Sequence, residues 1–374
     1  MIPWLLNQFG SHPNLLLRSA GAAMLGLFMV LLLGPRVIRS LIRRKLGDRP
    51  EFDRADLNQL TKHKSNTPTM GGVLIVPAIF VSVLLFGDLR NMYIRFGLFM
   101  LVWFGVLGGI DDWLKLRRAS GVGSRHGLVM WQKMIFQIGG AMMVALYIWS
   151  ETPDRVDQII NPVHSLYVPL LSEPLRLTQF WYVVIAVLTI VGSSNAVNLT
   201  DGMDGLASGC MIIATVTFMI LAIVVGGYVQ GVFENLPPVR GGAEMAVVCA
   251  AMMGSCLGFL WYNANPAQVF MGDTGSLPLG ALLGYAALVT RHELVLLIAG
   301  GVFAMEAISV VIQVGHFKYT RRKYGEGKRF FRCAPLHHHF HLGGWAESKV
   351  VTRFWILSII LAALALATLK LKIG

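Results

Sequence analysis

Long apolar runs alternate with short polar connections along nearly the whole 374-residue chain. A stretch of about 20 apolar residues is long enough to cross a bilayer as a helix. Ten runs fit that description, at approximately 15–38, 70–87, 93–110, 130–150, 178–197, 205–227, 244–263, 275–290, 293–315 and 352–370. Each predicts a spanning helix, because a helix satisfies its own backbone N–H and C=O groups where lipid offers no partner. Two connections are long, 151–177 and 316–351, and the prolines of the first argue against one continuous helix there. No soluble domain interrupts the runs and no internal repeat is evident. The chain therefore reads as one all-α polytopic membrane domain, residues 1–374. The first run is long enough to span and lacks a clean cleavage pattern, so it is expected to stay on as the first span and to serve as the targeting signal.

Composition agrees with this reading. Hydrophobic residues make up 55% of the chain and charged residues 14%, against about 25% charged in soluble domains. The net charge is +12, and most of the 32 basic residues fall in three connections, 36–68, 111–133 and 317–349. With ten spans these three share one side, which the excess of Lys and Arg makes cytoplasmic, leaving both termini outside. Such a balance suits anionic headgroups or an anionic substrate. Nucleic acid is not an expected partner, since the basic residues sit in short loops between spans. The four cysteines form no CxxC pair or disulfide framework, and Cys210, Cys249 and Cys256 lie in apolar runs as small buried residues.

Against this background the acids stand out. Asp111 and Asp112 (GGIDDWLK), Asp201 and Asp204 (NAVNLTDGMDGLA) and Asp273 (FMGDTGSLPLG) each end or begin an apolar run. A carboxylate at the bilayer centre costs roughly 2.5–3.5 kcal/mol on insertion scales, so such residues face a wet cavity or a cation. All five fall on the side assigned to the cytoplasm, which points to one composite site. Carboxylates gathered in this way suit a hard divalent cation such as Mg2+, and Mg2+ suits phosphate chemistry. On a continuing helix Asp111 and Lys115 share a face at i,i+4; a span-end salt bridge is the plainer alternative to a metal or proton site with Lys115 on a phosphate. Asn195, Asn198, Asp201 and Asp204 recur every third residue, with Gly202 and Gly205 placed to break the helix, and this set suits hydroxyl, amide and base-edge recognition. Asp273 between glycines could equally cap the next helix.

The string PLHHHFH places His337, His338, His339 and His341 together. Adjacent histidines do not converge on one tetrahedral centre, so phosphate contact, helped by Lys328, Arg329 and Arg332, is favoured over zinc. Lys62 and Lys64, before TPTMGG, and Thr67, its first residue, are further candidates for phosphate contact. No Walker A motif is present.

In this order, TPTMGG, DDWLK, NAVNLTDGMDGLA, NANPAQVFMGDTGSLPLG and APLHHHF stand at the ends of successive runs. The pattern resembles the phospho-N-acetylmuramoyl-pentapeptide-transferase family, within the wider group that loads N-acetylhexosamine 1-phosphates onto polyprenyl phosphate, over about residues 36–370. The resemblance implies an enzyme of the bacterial inner membrane that uses Mg2+. It would transfer phospho-N-acetylmuramoyl-pentapeptide from UDP-N-acetylmuramoyl-pentapeptide to undecaprenyl phosphate, giving lipid I and UMP in peptidoglycan synthesis, and it would work as a homodimer. It implies catalytic roles for Asp111, Asp112, Lys115, Asp273, His337, His338 and His339, with Asp273, Asp111 and Asp112 at the metal. It implies substrate contacts from Lys64, Thr67, Lys133, Asn195, Asn198, Asp201, Asp204, Asn263 and Gln313. Two stretches depart from the family pattern: RPEFDRADLNQLTKHKSN before TPTMGG, and the extended TRRKYGEGKRFF before the histidines. The alternatives are a relative using another UDP-N-acetylhexosamine and, from a different class, an ion-coupled transporter. A transporter usually keeps its ion site near the midplane of repeated halves.

Overall fold

The structure is a computed structural model, and it describes residues 14–44, 64, 67–118, 127–153, 155–156, 159–160, 162–169, 171, 173–226 and 239–368. Lys62 lies outside the described residues. The helices are α1 (Leu15–Arg43), α2 (Gly72–Phe86), α3 (Met92–Arg118), α4 (Met130–Glu151), α5 (Gln179–Thr200), α6 (Leu206–Val225), α7 (Met245–Asn263), α8 (Asp273–Thr290), α9 (Glu293–Ala299), α10 (Gly301–Tyr324), α11 (Leu336–Leu342) and α12 (Glu347–Thr368). Between α4 and α5 the proline-bearing segment folds into two small antiparallel hairpins instead of a helix, β1 (Arg155–Val156) with β2 (Ile159–Ile160) and β3 (Ser165–Leu166) with β4 (Leu175–Arg176).

By length and composition, seven helices can cross a membrane, and an eighth span forms if α9 and α10 are taken together. The chain is thus an all-α polytopic membrane protein. Each of the ten apolar runs contains a helix, yet not every helix is a plain span. The run 293–315 is broken: α9 and α10 meet at an 88° bend, where Gly300 and Gly301 offer no side chain to hold a straight helix. α2 is an apolar helix of 15 residues, short for a straight crossing.

α8 is the hub. All 18 of its residues are buried, and it packs against α3, α5, α6 and α2. Its sequence explains why: Gly, Ala, Ser and Thr let neighbouring backbones approach closely where lipid supplies no hydrophobic drive between helices. A Cβ built on Gly280 would stand 2.6 Å from the Ser193 carbonyl of α5, and one on Gly284 would stand 2.7 Å from that of Thr189. On α3, a Cβ at Gly108 would lie 2.1 Å from the Asp273 carbonyl oxygen. The last turns of α3 and the first residue of α8 are therefore in backbone contact. The TPTMGG strand is laid beside the same point, with Phe270 N–H donating to Pro68 O (2.8 Å), Gly71 N–H to Phe270 O (2.8 Å) and Gly72 N–H to Met271 O (2.9 Å).

At the far end of the bundle a different network closes the fold. Arg18 of α1 is buried; it donates to the Phe86 carbonyl and to both carboxylate oxygens of Glu244, which also accepts the Asp88 N–H. This ties together the start of α1, the end of α2 and the start of α7.

Candidate active site

Asp111 and Asp112 are one residue apart, which on a helix is about 100° of rotation, so they serve different partners. Asp111 is fully buried. Its Oδ1 accepts the Leu128 N–H at 2.7 Å, while its Oδ2 receives Lys133 Nζ and Lys115 Nζ, each at 2.8 Å. Asp112 turns instead toward α8. Its Oδ1 accepts the Asp273 N–H (3.1 Å), and its Oδ2 accepts the Thr274 N–H (2.8 Å) and the Thr274 hydroxyl (2.7 Å). Asp112 thus caps the start of α8 from another helix, where the N-cap residue Gly272 has no side chain, and its charge faces the positive end of the α8 dipole.

Asp273, the first residue of α8, completes the group. Its Oδ2 receives Lys133 Nζ at 2.7 Å and Lys115 Nζ at 3.1 Å, and its Oδ1 accepts Asn198 Nδ2 at 2.7 Å. Oxygens of Asp111, Asp112 and Asp273 lie within 4.8 Å of one another, the one such acidic cluster among the described residues. Gly272 makes this approach possible: its φ is +69°, and a Cβ there would meet Asp112 Oδ2 at 2.6 Å. Three buried carboxylates facing two ammonium groups are a set that could hold a metal ion. The donors are all oxygen, the set preferred by Mg2+. The lysine side chains differ in exposure, Lys115 at 42% and Lys133 at 18%, so Lys115 is the one open to an incoming anion.

α5 ends at Thr200 and α6 begins at Leu206, so the break expected at the glycines occurs at residues 201–205, with Gly205 at φ +78°. Of the three-residue repeat, Asn198 joins the cluster. Asn195, one turn back, donates instead to Gln137 Oε1 of α4 (2.8 Å) and to the Val191 carbonyl (2.8 Å). Asp201 lies in the turn, where burial pushes its carboxyl well above the usual range, aided by the nearby charges of Asp273 and Asp112. Asp204 faces away into a second polar group. Its Oδ1 accepts Lys64 Nζ at 2.6 Å, and its Oδ2 accepts Asn265 Nδ2 and the Ala267 N–H, both at 3.0 Å. Lys64 also donates to Glu347, at the start of α12, and Glu347 in turn accepts the Asp204 N–H. Thr67, half-buried, donates its N–H to the Lys64 carbonyl at 3.0 Å.

Two predicted contacts turn inward. Asn263 accepts the Gly205 N–H (3.1 Å) and the Ser208 hydroxyl (2.8 Å) and donates to the Val269 carbonyl (2.9 Å). It fastens the 201–205 turn to the end of α7. Gln313 of α10 accepts the N–H groups of Phe330 (3.1 Å) and Phe331 (2.9 Å), holding down the extended segment that precedes the histidines.

The histidines occupy α11. His337 and His338 are buried, with ring centroids 4.2 Å apart. His337 abuts the 201–205 turn, since a Cβ on Gly202 would come within 2.4 Å of its Nε2. Burial and the neighbouring His337 hold His338 well below the usual imidazole range. His339 points elsewhere and accepts the Arg332 N–H at 3.1 Å, and His341 Nδ1 lies 2.9 Å from the Trp345 carbonyl. The rings do not converge, as expected for adjacent residues.

The comparisons with known proteins bear on this geometry. The model of glycosyl transferase family 4 matches residues 94–291, which run from α3 to the end of α8. The signature described as phospho-N-acetylmuramoyl-pentapeptide-transferase signature 1 matches residues 64–76, from Lys64 into α2. A phospho-N-acetylmuramoyl-pentapeptide-transferase of Desulfotalea psychrophila is 42% identical over 358 residues, covering 95% of this chain and 94% of its own. The chain belongs to the phospho-N-acetylmuramoyl-pentapeptide-transferase family. A second relative of the same name, from Desulforapulum autotrophicum, is 45% identical over 342 residues, covering 91% and 89%.

Within this transferase, the site also draws on residues to which the sequence alone assigns no role of their own. Thr274 shares the α8 cap, Asn265 and Glu347 frame Asp204 and Lys64, and Glu306 of α10 meets His337. Glu306 had a usable signal, being an acid inside the apolar run 293–315. Glu347 had none, because at the edge of a basic loop a single acid is ordinary.

Proposed function

We propose that Asp111, Asp112, Asp273, Lys115 and Lys133 form the reaction centre of this transferase. The enzyme transfers phospho-N-acetylmuramoyl-pentapeptide from its UDP-linked precursor to undecaprenyl phosphate, yielding lipid I and UMP, the first membrane step of peptidoglycan synthesis. The observation that carries the assignment is a buried group of three carboxylates and two lysines where helix ends meet in a membrane protein. One substrate is a lipid confined to the bilayer and the other a soluble nucleotide, so only a site at helix ends serves both.

Residues Asp273, Asp111 and Asp112 would hold Mg2+, which supplies charge neutralisation of the diphosphate. Lys115 and Lys133 would hold phosphoryl oxygens as the lipid phosphate attacks the β-phosphate and the bond to UMP breaks. The nucleophile is already an anion, so no general base is required for that step. The surroundings favour direct attack over an aspartyl-phosphate intermediate: both oxygens of Asp111 and both of Asp112 already accept hydrogen bonds from fixed donors. Asn198 and Asp201 would line the diphosphate path. Lys64, Thr67 and Asp204 would form a separate subsite for the nucleoside, with Phe270 beside Lys64 (5.9 Å from Nζ to the ring centroid). His337 and His338 would act from α11 beside the 201–205 turn, while His339 would act only through the Arg332 main chain that it holds. Asn195, Asn263 and Gln313 would serve substrate through the elements they hold.

We assign the whole chain, 1–374, to one domain of ten membrane passes in the bacterial inner membrane. The basic loops and the site would face the cytoplasm and both termini would lie outside. The homodimer is carried over from the resemblance.

The test is UMP release by the purified transferase with both substrates. Activity is expected to need the lipid and Mg2+, to vanish in EDTA and to return on adding Mg2+. Asp273→Asn is expected to lower kcat by on the order of 10^2–10^3-fold, as loss of one electrostatic group does elsewhere. Full activity in the variant would remove Asp273 from the metal site.

A further inference from the structure

We propose that Glu306 is a positioning residue for His337. In this arrangement the Glu306 carboxylate accepts a hydrogen bond from the imidazole Nδ1–H, holding the proton on Nδ1 and leaving the Nε2 lone pair facing the 201–205 turn. There it can accept a hydrogen bond from a hydroxyl or amide N–H of the sugar-nucleotide substrate. The idea rests on the assignment of His337 to the substrate site.

Glu306 lies on α10, beyond the bend at Gly300, and is fully buried. A buried carboxylate is costly unless it is paired or bonded. Among the described residues no Lys or Arg comes within salt-bridge distance of Glu306, and its one titratable partner is His337, with Nδ1 3.3 Å from Oε1. The same Oε1 accepts the His337 main-chain N–H at 3.1 Å. The carboxylate therefore holds the backbone of His337 and lies beside its ring. His337 is itself fully buried. Beyond the proximity to Glu306, neither of its ring nitrogens has a hydrogen-bond partner among the described residues, and Glu306 Oε2 has none among them either. A buried imidazole with an unpartnered Nε2 is unusual in a finished core, where polar groups are normally satisfied. Its Nε2 edge lies against Gly202, where a Cβ would come within 2.4 Å, so only glycine at 202 lets the ring sit this close to the turn. Gly202 follows Asp201 and lies two residues before Asp204, which places the free nitrogen between the acidic cluster and the Lys64 subsite. A carboxylate behind an imidazole is a recurrent way of fixing tautomer and ring orientation.

The alternative is that Glu306 only anchors the start of α11 through the backbone bond. Glu306→Gln separates the two, because the amide oxygen can still accept the His337 N–H while the charge is gone. In full-length enzyme labelled with 15N-histidine, the two-bond 1H–15N spectrum of His337, assigned with His337→Gln, is expected to show the Nδ1–H tautomer. An Nε2–H tautomer or a doubly protonated ring overturns the proposal, and this reading needs no Glu306 variant to fold. In kinetics, Glu306→Gln is expected to lower kcat roughly 10–100-fold, the usual effect of losing a residue that orients a functional group, and to add nothing in a His337→Gln background. Unchanged kcat in Glu306→Gln, or multiplicative losses in the double variant, overturns the pairing. Wild-type activity in His337→Gln alone would remove His337 from the site, and the proposal with it. Impaired His337→Gln beside indifferent Glu306→Gln would leave the site assignment standing and reject only the pair.

Discussion

Asp112 and Asp273 stand together in one cluster but do different work, and their variants should separate accordingly. Asp112 satisfies two N–H groups and a hydroxyl at the start of α8. Its replacement by Ala orphans these donors and is expected to lower stability by about 1–2 kcal/mol, the upper range for a lost N-cap. Asp273 is one of three carboxylates within 4.8 Å and also pairs with Lys133 and Lys115, so Asp273→Asn removes repulsion and attraction together while leaving the cap in place. Thermal unfolding in detergent should give a lower midpoint for Asp112→Ala than for Asp273→Asn, though both lose UMP release. Equal midpoints for the two variants would reject the capping role. The sequence made these acids conspicuous because charge is rare in apolar runs. It did not divide their roles, because two adjacent residues on a helix look alike until their neighbours are known. Lys133 illustrates the same limit. Only the resemblance pointed to it, since a lysine at the start of a span is an ordinary interfacial anchor, and only the fold brings it 2.7 Å from Asp273.

Among the elements, α8 depends on close backbone contact more than on large side chains, and the contact with α3 is the most demanding. With Asp273 O only 2.1 Å from a Cβ at Gly108, Gly108→Ala forces α3 and α8 apart at the residue that heads the cluster. Overpacking of this kind costs typically 1–3 kcal/mol, and the displaced Asp273 should lower kcat as well. Gly139→Ala on α4 is the control, since a Cβ there meets nothing within 4 Å. Unfolding midpoints and UMP release for the pair check the prediction, and a Gly108→Ala enzyme matching Gly139→Ala would mean that the helices slide without consequence. All ten helical regions were legible as apolar runs. The central position of α8 was legible only in outline, from its small residues. The 88° bend between α9 and α10 was not, because two glycines inside an apolar run are common in straight membrane helices too.

At the scale of the whole molecule, the helix ends sort into two sets. The end of α3, the starts of α2, α8 and α12, the α5–α6 turn and α11 gather around the cluster. The starts of α1 and α7 and the end of α2 meet at Arg18 and Glu244. The fold thus fixes which ends lie together, and the charge of the loops supports our assignment of the site end to the cytoplasm, since that end carries the dense run of basic residues from Lys318 to Arg332. The chain's own cysteines can test that orientation. Cys210, Cys249 and Cys256 are buried, whereas Cys333 is part-exposed in the segment between α10 and α11. A membrane-impermeant maleimide should therefore label the unaltered protein in inverted vesicles and leave it unlabelled in right-side-out vesicles, and Cys333→Ser should abolish the inverted-vesicle signal. UMP release should follow the same sidedness, because the sugar nucleotide must reach the cluster from the face that exposes Cys333. Labelling from the outer side would reverse the orientation read from the charges, and with it the route by which the soluble substrate enters, without altering how the three carboxylates and two lysines are arranged.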